Sequence, residues 1–318
     1  TEFANLRNSS STTIKMEMDG RQWFRKINRI SLHQETPIIV FYDSVTGKGA
    51  NIWSMMMMSE GAVNTPAGPI TPEKRMHNDG SLKQLPKATA EKQLVAGLHR
   101  SVFTGQNWPT HFSNGINWEL YSLSPTAINF TLADWGTDWQ NSVEKNEFYA
   151  TNKRPYSEEQ QIIRLRSDKP FFTVLLPYAK DQDSYQNKVK TLSSHTISVK
   201  QHGDDIIINP AYYAIKAKDR FFAALLSSSA PLAYAGVSIL GGYTELEYNA
   251  GTVKVRVHGN TGKRGITLPF LLKPSTKLAG IKMEQVSGTT LLTVDYTSDG
   301  LDLPNGEQGY KEFIFSRN

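Results

Sequence analysis

Apolar residues in the middle of the chain fall into two short runs on either side of a polar hinge. The first run covers residues 161–165 and the second covers residues 171–176, with the hinge at residues 166–170. In the first run, aliphatic residues alternate with Arg164 and Arg166, which is typical of a strand with one covered face. The second run, FFTVLLP, is apolar on both faces and predicts a central strand covered on each side. We expect Pro177 to end this strand, because proline has no N–H to donate to a sheet.

Short alternating or apolar runs recur along most of the chain, and they predict β-strands. Before the central runs they lie at residues 12–18, 37–45, 51–58, 98–103, 117–123 and 127–132. After them they lie at residues 196–201, 205–209, 211–216 and 220–226, with further short runs from residue 232 onwards. A helical pattern is found at residues 140–148. Many short strands with little helix predict an all-β protein: a large layered antiparallel β-sandwich over residues 1–220 and a smaller C-terminal β-sandwich over residues 221–318.

The pattern also predicts how some strands pair and which faces are covered. The turn at residues 46–49 predicts a hairpin between residues 37–45 and 51–58. Consecutive methionines at residues 55–58 point alternately to the two faces of a strand, so we expect the sheet to be covered on both faces there. Two later strands, joined at residues 249–251, carry charges that we interpret as cross-strand pairs on a solvent-exposed face: Glu245, Glu247, Lys254 and Arg256.

Composition excludes several classes of function. The 318 residues contain 35 Lys and Arg against 30 Asp and Glu, a net charge of +5, and the cations are dispersed. This balance does not indicate nucleic acid as a partner, although a groove for an acidic ligand is compatible with it. There is no cysteine, which excludes disulfides and thiolate metal sites, and no run approaches the roughly 18 apolar residues of a membrane span. We find no phosphate-binding glycine loop, His-x-x-x-His pair or nucleophile elbow, and we expect no cofactor.

Two polar stretches interrupt the strands and contain the candidate binding residues. Residues 60–93, rich in proline and glycine, predict a long irregular loop in which His77 follows Lys74 and Arg75. Residues 98–118 bring together a base, a cation, amides and an indole, which suit an anionic sugar with an apolar pyranose face. The residues of this second stretch are His99, Arg100, Asn107, Trp108, His111 and Asn114. The alternative is a structural loop in which Trp108 and Trp118 close an edge of the sandwich.

The central runs also resemble a known family. Residues 159–165 (EQQIIRL) and 172–178 (FTVLLPY) resemble strands in the C-terminal β portion of heparinase II/III-like polysaccharide lyases, and residues 29–45 are similar to a strand pair of the same region. The resemblance implies a layered β-sandwich followed by a small terminal sandwich. In that family an N-terminal α/α toroid supplies much of the catalytic apparatus. Paired amphipathic helices do not occur in this sequence, so we expect it to be the β half of such a lyase.

The resemblance implies an activity and partners. Lyases of this kind remove the C5 proton of a uronic acid, neutralise its carboxylate and protonate the leaving oxygen, which is β-elimination. The implied partners are an acidic polysaccharide and the toroid half of the same enzyme, in the periplasm or outside the cell. The candidate catalytic residues are then His111, His99 and Arg100, and the candidate substrate-binding residues are Asn107, Trp108, Asn114 and His77.

Three expectations follow from the resemblance, and two alternatives stay open. The chain alone should release no unsaturated oligosaccharide. It should bind no zinc: Asp43 matches an aspartate of the zinc site in some relatives, but Lys26 and the methionine strand occupy the regions of the two histidines. In the joined enzyme, His111→Ala or Arg100→Ala should reduce turnover far more than stability. The alternatives are a non-catalytic carbohydrate-binding domain and a structural domain of the cell surface.

Overall fold

A computed structural model describes residues 2–32, 36–47, 49–57, 59–70, 90–105, 115–134, 161–218, 220–227, 229–259, 263–273, 280–295 and 310–318. Within these ranges the chain forms strands and turns, and none of them contains a helix that could cross a membrane. The all-β class predicted from the sequence is confirmed. The helix predicted at residues 140–148 lies outside the described residues.

The first half of the described chain contains thirteen strands. They are β1 (Glu2–Asn5), β2 (Ser9–Met18), β3 (Arg21–Ile30), β4 (Ile38–Thr46), β5 (Asn51–Met57), β6 (Ser59–Thr65), β7 (Gly68–Ile70), β8 (Ala90–Leu94), β9 (Gly97–Gly105), β10 (Ile116–Ser124), β11 (Ile128–Asp134), β12 (Gln161–Ser167) and β13 (Phe171–Ala179).

The second half contributes thirteen more within the described ranges. They are β14 (Val189–Ser193), β15 (Thr196–Gln201), β16 (Asp204–Asn209), β17 (Tyr212–Lys216), β18 (Arg220–Leu225), β19 (Leu232–Tyr234), β20 (Val237–Leu240), β21 (Thr244–Asn249), β22 (Thr252–Val257), β23 (Lys263–Leu268), β24 (Ile281–Val286), β25 (Thr289–Asp295) and β26 (Lys311–Ser316).

These strands form four antiparallel sheets within the described residues. A nine-strand sheet has the order β1-β2-β3-β4-β13-β10-β9-β6-β7, and a four-strand sheet has the order β5-β12-β11-β8. An eight-strand sheet has the order β14-β15-β16-β17-β18-β21-β22-β26, and a five-strand sheet has the order β19-β20-β23-β25-β24. By contacts the chain divides into a first unit, Thr1–Ile14, Lys26–Glu35 and Tyr185–Asn318, and a second unit, Lys15–Arg25 and Thr36–Ser184.

Strand β13 is the central strand that the second apolar run predicts. Its residues from Phe171 to Tyr178 are all buried, and β10 and β4 flank it. The strand does not end at Pro177, as the sequence suggested, but continues to Ala179. The described pairing with β4 stops at Leu175, whereas pairing with β10 reaches Ala179. The proline therefore lies where β13 has a described neighbour on one side, and a sheet tolerates a missing N–H at such a position.

The two central runs belong to different sheets. Strand β12 pairs with β11 and β5, whereas β13 lies in the nine-strand sheet, so the polar hinge crosses from one sheet to the other. For the same reason the predicted hairpin between β4 and β5 is wrong, because these strands are also in different sheets. They meet instead through their side chains: the rings of Phe41 and Trp53 pack edge to face with centroids 5.4 Å apart. Residues that face each other across two sheets are typical of a sandwich core.

The four-strand sheet is buried on one face, and within the described residues its other face is exposed at Ile52 and Arg166 but buried at Ile162. Trp53, Met57, Ile163 and Leu165 are buried, while Ile52 on the opposite face is 45% exposed. The cover over both faces that the methionines predict, and another domain as the source of that cover, therefore stay predictions.

The irregular loop predicted for residues 60–93 begins instead as a β-hairpin. Strands β6 and β7 pair with each other there. Gly68, with a φ of 98°, completes the turn, and Val63 and Ile70 anchor the hairpin in the core. Proline and glycine had suggested a loop, whereas here Pro66 and Ala67 form a two-residue turn and Gly68 begins the next strand.

The eight-strand and five-strand sheets share an apolar core. Its members include Phe221, Leu246 and Val255 from the eight-strand sheet, with Ile239 and Leu292 from the five-strand sheet. The sandwich that these two sheets form includes strands of the region predicted for the smaller C-terminal sandwich, but it also contains the earlier strands β14–β17. The eight-strand sheet continues across the domain boundary predicted near residue 220, because β17 and β18 pair with each other.

Candidate functional site

The structure describes two of the seven candidate site residues. His77, Asn107, Trp108, His111 and Asn114 lie outside the described residues. His99 and Arg100 lie on β9, which pairs with β10.

His99 and Arg100 point to opposite faces of the nine-strand sheet, because neighbouring residues of a strand alternate. The His99 side chain is buried, and its Nε2 lies 2.5 Å from the backbone oxygen of Val95. Arg100 lies opposite Tyr121 on β10. The two residues proposed to act together are therefore not brought to one place by this strand.

Arg100 belongs to a polar cluster that the structure shows directly. Its Nε and Nη2 donate to the two carboxylate oxygens of Glu119 at 2.7 and 2.9 Å. The Tyr121 hydroxyl donates to the same carboxylate at 2.8 Å. Glu119 is fully buried, whereas the Arg100 side chain is 27% exposed. A two-pronged Arg–carboxylate pair fixes both planes, so the guanidinium is held rigidly at the surface.

Two further residues extend this cluster across three strands. Asn117, Glu119 and Tyr121 alternate along β10 and so share one face, and Tyr178 on β13 lies opposite Asn117. We call Arg100, Asn117, Glu119, Tyr121 and Tyr178 the polar face. Sequence analysis found Arg100 and missed the others, although the alternating polar residues of NWELY were visible in the sequence.

Burial sets the protonation of the two phenols. It raises the pKa of Tyr121, and the Glu119 carboxylate raises that pKa further. Burial also raises the pKa of Tyr178, again with a contribution from Glu119. Both phenols therefore stay protonated at neutral pH, and they serve as hydrogen-bond donors rather than as bases. The hydrogen bonds to Glu119 also raise the pKa of Arg100, which keeps its charge.

The pairing of Arg100 corrects one expectation. Arg100→Ala was expected to leave stability nearly unchanged, as for an ordinary surface residue. In the structure that change would leave the fully buried Glu119 carboxylate without its cation. An unpaired buried charge is costly, so Arg100→Ala should also destabilise the fold.

Asp43, which matches the zinc-site aspartate of the resembled family, is used in an ion pair. The Nε of Arg25 donates to Asp43 Oδ1 at 2.6 Å, and the guanidinium lies 4.8 Å from the ring centre of Trp23. Burial raises the pKa of the Asp43 carboxyl, while Arg25 lowers it. Across the described ranges, no three His, Asp or Glu side chains are grouped so as to hold a metal ion.

The sequence interpretation missed a buried charge network in the first unit. Arg256 is fully buried and donates to three carboxylates: Glu245 at 2.7 Å, Glu247 at 3.0 Å and Glu312 at 2.5 Å. Glu245 is also fully buried, and both the backbone and side-chain nitrogens of Asn8 donate to it at 3.2 Å. The predicted cross-strand charge pairing is found for Glu245 and Arg256, which lie opposite each other; Glu247 lies opposite Lys254 but pairs with Arg256.

The solvent-exposed face predicted for these residues is wrong for Glu245 and Arg256. The N-terminal segment around Asn8, 237 residues away in sequence, covers them. Burial raises the pKa of Glu245, although Arg256 and Asn8 counteract it. A local pattern of alternating charges cannot reveal a cover that comes from so far away in the chain.

Comparisons with known proteins identify the fold. No protein-family model and no curated protein sequence matches the chain. Among solved structures, the chain is similar to a xanthan lyase from Paenibacillus, with 12% sequence identity and a TM-score of 0.51. The alignment covers 98% of this chain and 28% of the xanthan lyase, so the chain spans less than a third of that protein. Likeness at this identity concerns the fold alone: the chain has the β architecture of part of a polysaccharide lyase, and a link to the heparinase II/III-like family in particular stays a proposal.

Proposed function

We propose that this chain is the β-sandwich portion of a polysaccharide lyase that acts on a uronic-acid-containing polysaccharide by β-elimination. The observation that carries the proposal is the structural likeness to part of a xanthan lyase along 98% of the chain. The resemblance of the central strands to heparinase II/III-like lyases supports a place in or near that family. An α/α toroid half is then the partner, in the periplasm or outside the cell.

In this proposal the polar face lines part of the substrate cleft. Arg100 is the partly exposed cation of this face, so its guanidinium is the group that a uronate carboxylate can reach. The carboxylate of Glu119 fixes that guanidinium in place, so ligand binding loses little free energy to the ordering of the arginine side chain. The phenols of Tyr121 and Tyr178 stay protonated and are unsuited to abstract the C5 proton. We therefore assign proton abstraction to groups outside the polar face, with His111 the candidate on this chain.

Binding to acidic polysaccharides tests the proposal. Affinity electrophoresis of the purified chain in gels containing xanthan, heparin, chondroitin, hyaluronan or alginate should show retardation by at least one of them, and dextran should give none. Arg100→Gln should reduce the retardation, whereas Arg166→Gln, a matched change at an exposed arginine on β12, should not. Equal mobility in every gel would exclude a role in acidic polysaccharide recognition.

Product formation tests whether this chain can catalyse the elimination without a toroid half. The same mixtures, monitored for the ultraviolet absorbance of unsaturated uronates, should show no product, because in the proposal the toroid half supplies much of the catalytic apparatus. Steady release of unsaturated product by the purified chain would contradict the proposal, because it would show that these residues catalyse the elimination without a toroid half. Retardation by dextran as well as by acidic polymers would instead favour a general carbohydrate-binding domain.

A further inference from the structure

A cavity of about 330 Å³ lies in the first unit, among residues that do not belong to the polar face. It opens beside the N-terminal segment, with Arg7 and Leu32 on one side and strands β17, β18, β21 and β22 of the eight-strand sheet on the other. Small-molecule sites commonly have volumes of about 300–1,000 Å³. The cavity is therefore large enough for a ligand of about one sugar residue.

Four of the residues that line the cavity form one row of side chains across four strands, and we call this row the floor. Ile215 lies opposite Phe222, Phe222 opposite Glu247, and Glu247 opposite Lys254. Directly paired residues on adjacent strands point to the same face and lie about 5 Å apart. Half of the floor is thus apolar and contains an aromatic ring, and the other half is charged. A sugar ring has the same two aspects, with an apolar face and a polar rim.

The charges around the cavity favour an anion. Arg7, Arg220 and Lys254 line it against one carboxylate, Glu247. Arg220 is paired with Asp204 at 2.5 Å, and Glu247 accepts a hydrogen bond from Arg256 at 3.0 Å. Within the described part of the chain, Arg7 and Lys254 form no ion pair. Two cations are therefore available to a ligand that enters the cavity.

The buried charge network gives the charged half a fixed geometry. Arg256 is fully buried and forms an ion pair with Glu247. Its other two ion pairs, with Glu245 and Glu312, fix the position of the guanidinium. A carboxylate fixed in this way can accept hydrogen bonds from hydroxyl groups without first losing side-chain freedom.

We propose that this cavity binds one carboxylated sugar residue. The ring lies against Phe222 and Ile215, the carboxylate interacts with Arg7 and Lys254, and Glu247 accepts from ring hydroxyls. The carboxylated ligand class rests on the proposed function, whereas the cavity, its apolar floor and its cations do not. The site would give the chain a second point of attachment to an acidic polysaccharide, separate from the polar face.

Calorimetric titration of the purified chain with methyl glucuronide tests this site without any polymer. Methyl glucuronide should bind, whereas methyl glucoside and acetate should each bind at least about tenfold more weakly, because each lacks one half of the recognition. Arg7→Gln and Lys254→Gln should each weaken glucuronide binding about tenfold or more, as expected for loss of a charged hydrogen bond. Lys190→Gln, an exposed lysine on β14 of the same sheet, is the matched control and should have no effect.

Three results would overturn the proposal. They are no binding of methyl glucuronide by the native chain, equal binding of acetate, and binding that both Arg7→Gln and Lys254→Gln leave unchanged. Melting temperatures of the variants, which should equal that of the native chain because both side chains reach the surface, separate lost binding from lost folding. Failure of the proposed function would appear differently, as absence of polymer retardation and of any effect of Arg100→Gln while the monosaccharide still binds.

Discussion

Replacement of Arg256 by methionine tests whether the buried charge network holds the first unit together. Methionine keeps much of the length and volume of arginine but removes its charge and its donors. After the change, the carboxylate of Glu245 stays fully buried and keeps only the hydrogen bonds from Asn8 that the structure describes. Glu247 and Glu312 lose a partner too, but they are 39% and 31% exposed and can turn to water.

The magnitude follows from which charges remain buried. Removing one partner of a buried ion pair costs about 3–5 kcal/mol, mainly through the charge that is left behind. For a unit of this size, 1 kcal/mol corresponds to about 2–4 °C in melting temperature, so Arg256→Met should lower the transition by about 6–20 °C. Adding Glu245→Gln should recover part of this loss, because the remaining buried group is then neutral and keeps one acceptor oxygen for Asn8.

Differential scanning calorimetry is the suitable assay, because it can resolve separate transitions of the two units. Arg220→Met is the matched control: Arg220 forms an ion pair with Asp204 in the same unit but is 49% exposed, and such pairs contribute about 0–1 kcal/mol. A shift for Arg256→Met no larger than that for Arg220→Met would refute the reasoning. So would a double variant with Glu245→Gln that is less stable than Arg256→Met alone.

Three further predictions concern the second unit, and the last of them has a control substitution in the first unit. Burial raises the pKa of the Asp43 carboxyl above its ordinary value of 3.8, so ionisation of this group disfavours the folded state. The stability of the native chain relative to Asp43→Asn should therefore fall as the pH rises from about 3.8 through the raised pKa. Urea denaturation at a series of pH values measures this difference, and a difference that grows with pH would contradict the cause. Arg100→Ala should lower the free energy of unfolding by about 1–3 kcal/mol in urea, because the buried Glu119 carboxylate loses its cation, and an unchanged midpoint would argue against the pair. Gly105→Ala should destabilise by about 1–3 kcal/mol or more, because the new Cβ would lie 1.6 Å from a backbone oxygen of β10. Gly265→Ala in the first unit, where the nearest atom would be 4.0 Å away, should change the melting temperature little, and equal effects of the two changes would contradict the packing.

The sequence predicts individual strands well because burial and alternation are local properties. The all-apolar run at β13 indicates a strand covered on both faces, and every residue from Phe171 to Tyr178 is buried. Likewise, the turn at residues 249–251 predicts two paired strands with cross-strand charge pairs, and Glu245 lies opposite Arg256. In both cases the information lies within about ten residues of chain.

Sheet membership is a different matter, since it depends on partners that are distant in sequence. A tight turn between two strands predicts a hairpin, but the chain between β4 and β5 instead crosses from one sheet to another. The buried contact between Phe41 and Trp53 shows what the crossing achieves, because it places both apolar faces in one core. The strand pattern is the same for either outcome, so the sequence does not distinguish them.

Candidate site residues were predicted from side-chain chemistry alone. The structure shows in addition on which face of the sheet each described candidate lies. His99 and Arg100 are neighbours in sequence, and for that reason they point to opposite faces of their sheet. Residues two apart along β10, Asn117, Glu119 and Tyr121, share the face of Arg100 and make its surroundings. For a β protein, a search at a spacing of two along each strand therefore finds a site that a search for adjacent polar residues misses.

A comparison of Arg100 and Arg256 separates a binding role from a structural one. Both donate to a fully buried glutamate on a neighbouring strand, so truncating either should destabilise the fold. They differ in exposure: Arg100 is 27% exposed, whereas Arg256 is fully enclosed by three carboxylates. Arg256 therefore cannot reach a ligand and can act only by positioning Glu247 at the cavity. Arg100 can do both, so its contribution to polysaccharide binding has to be measured with Arg100→Gln under conditions where that variant is fully folded.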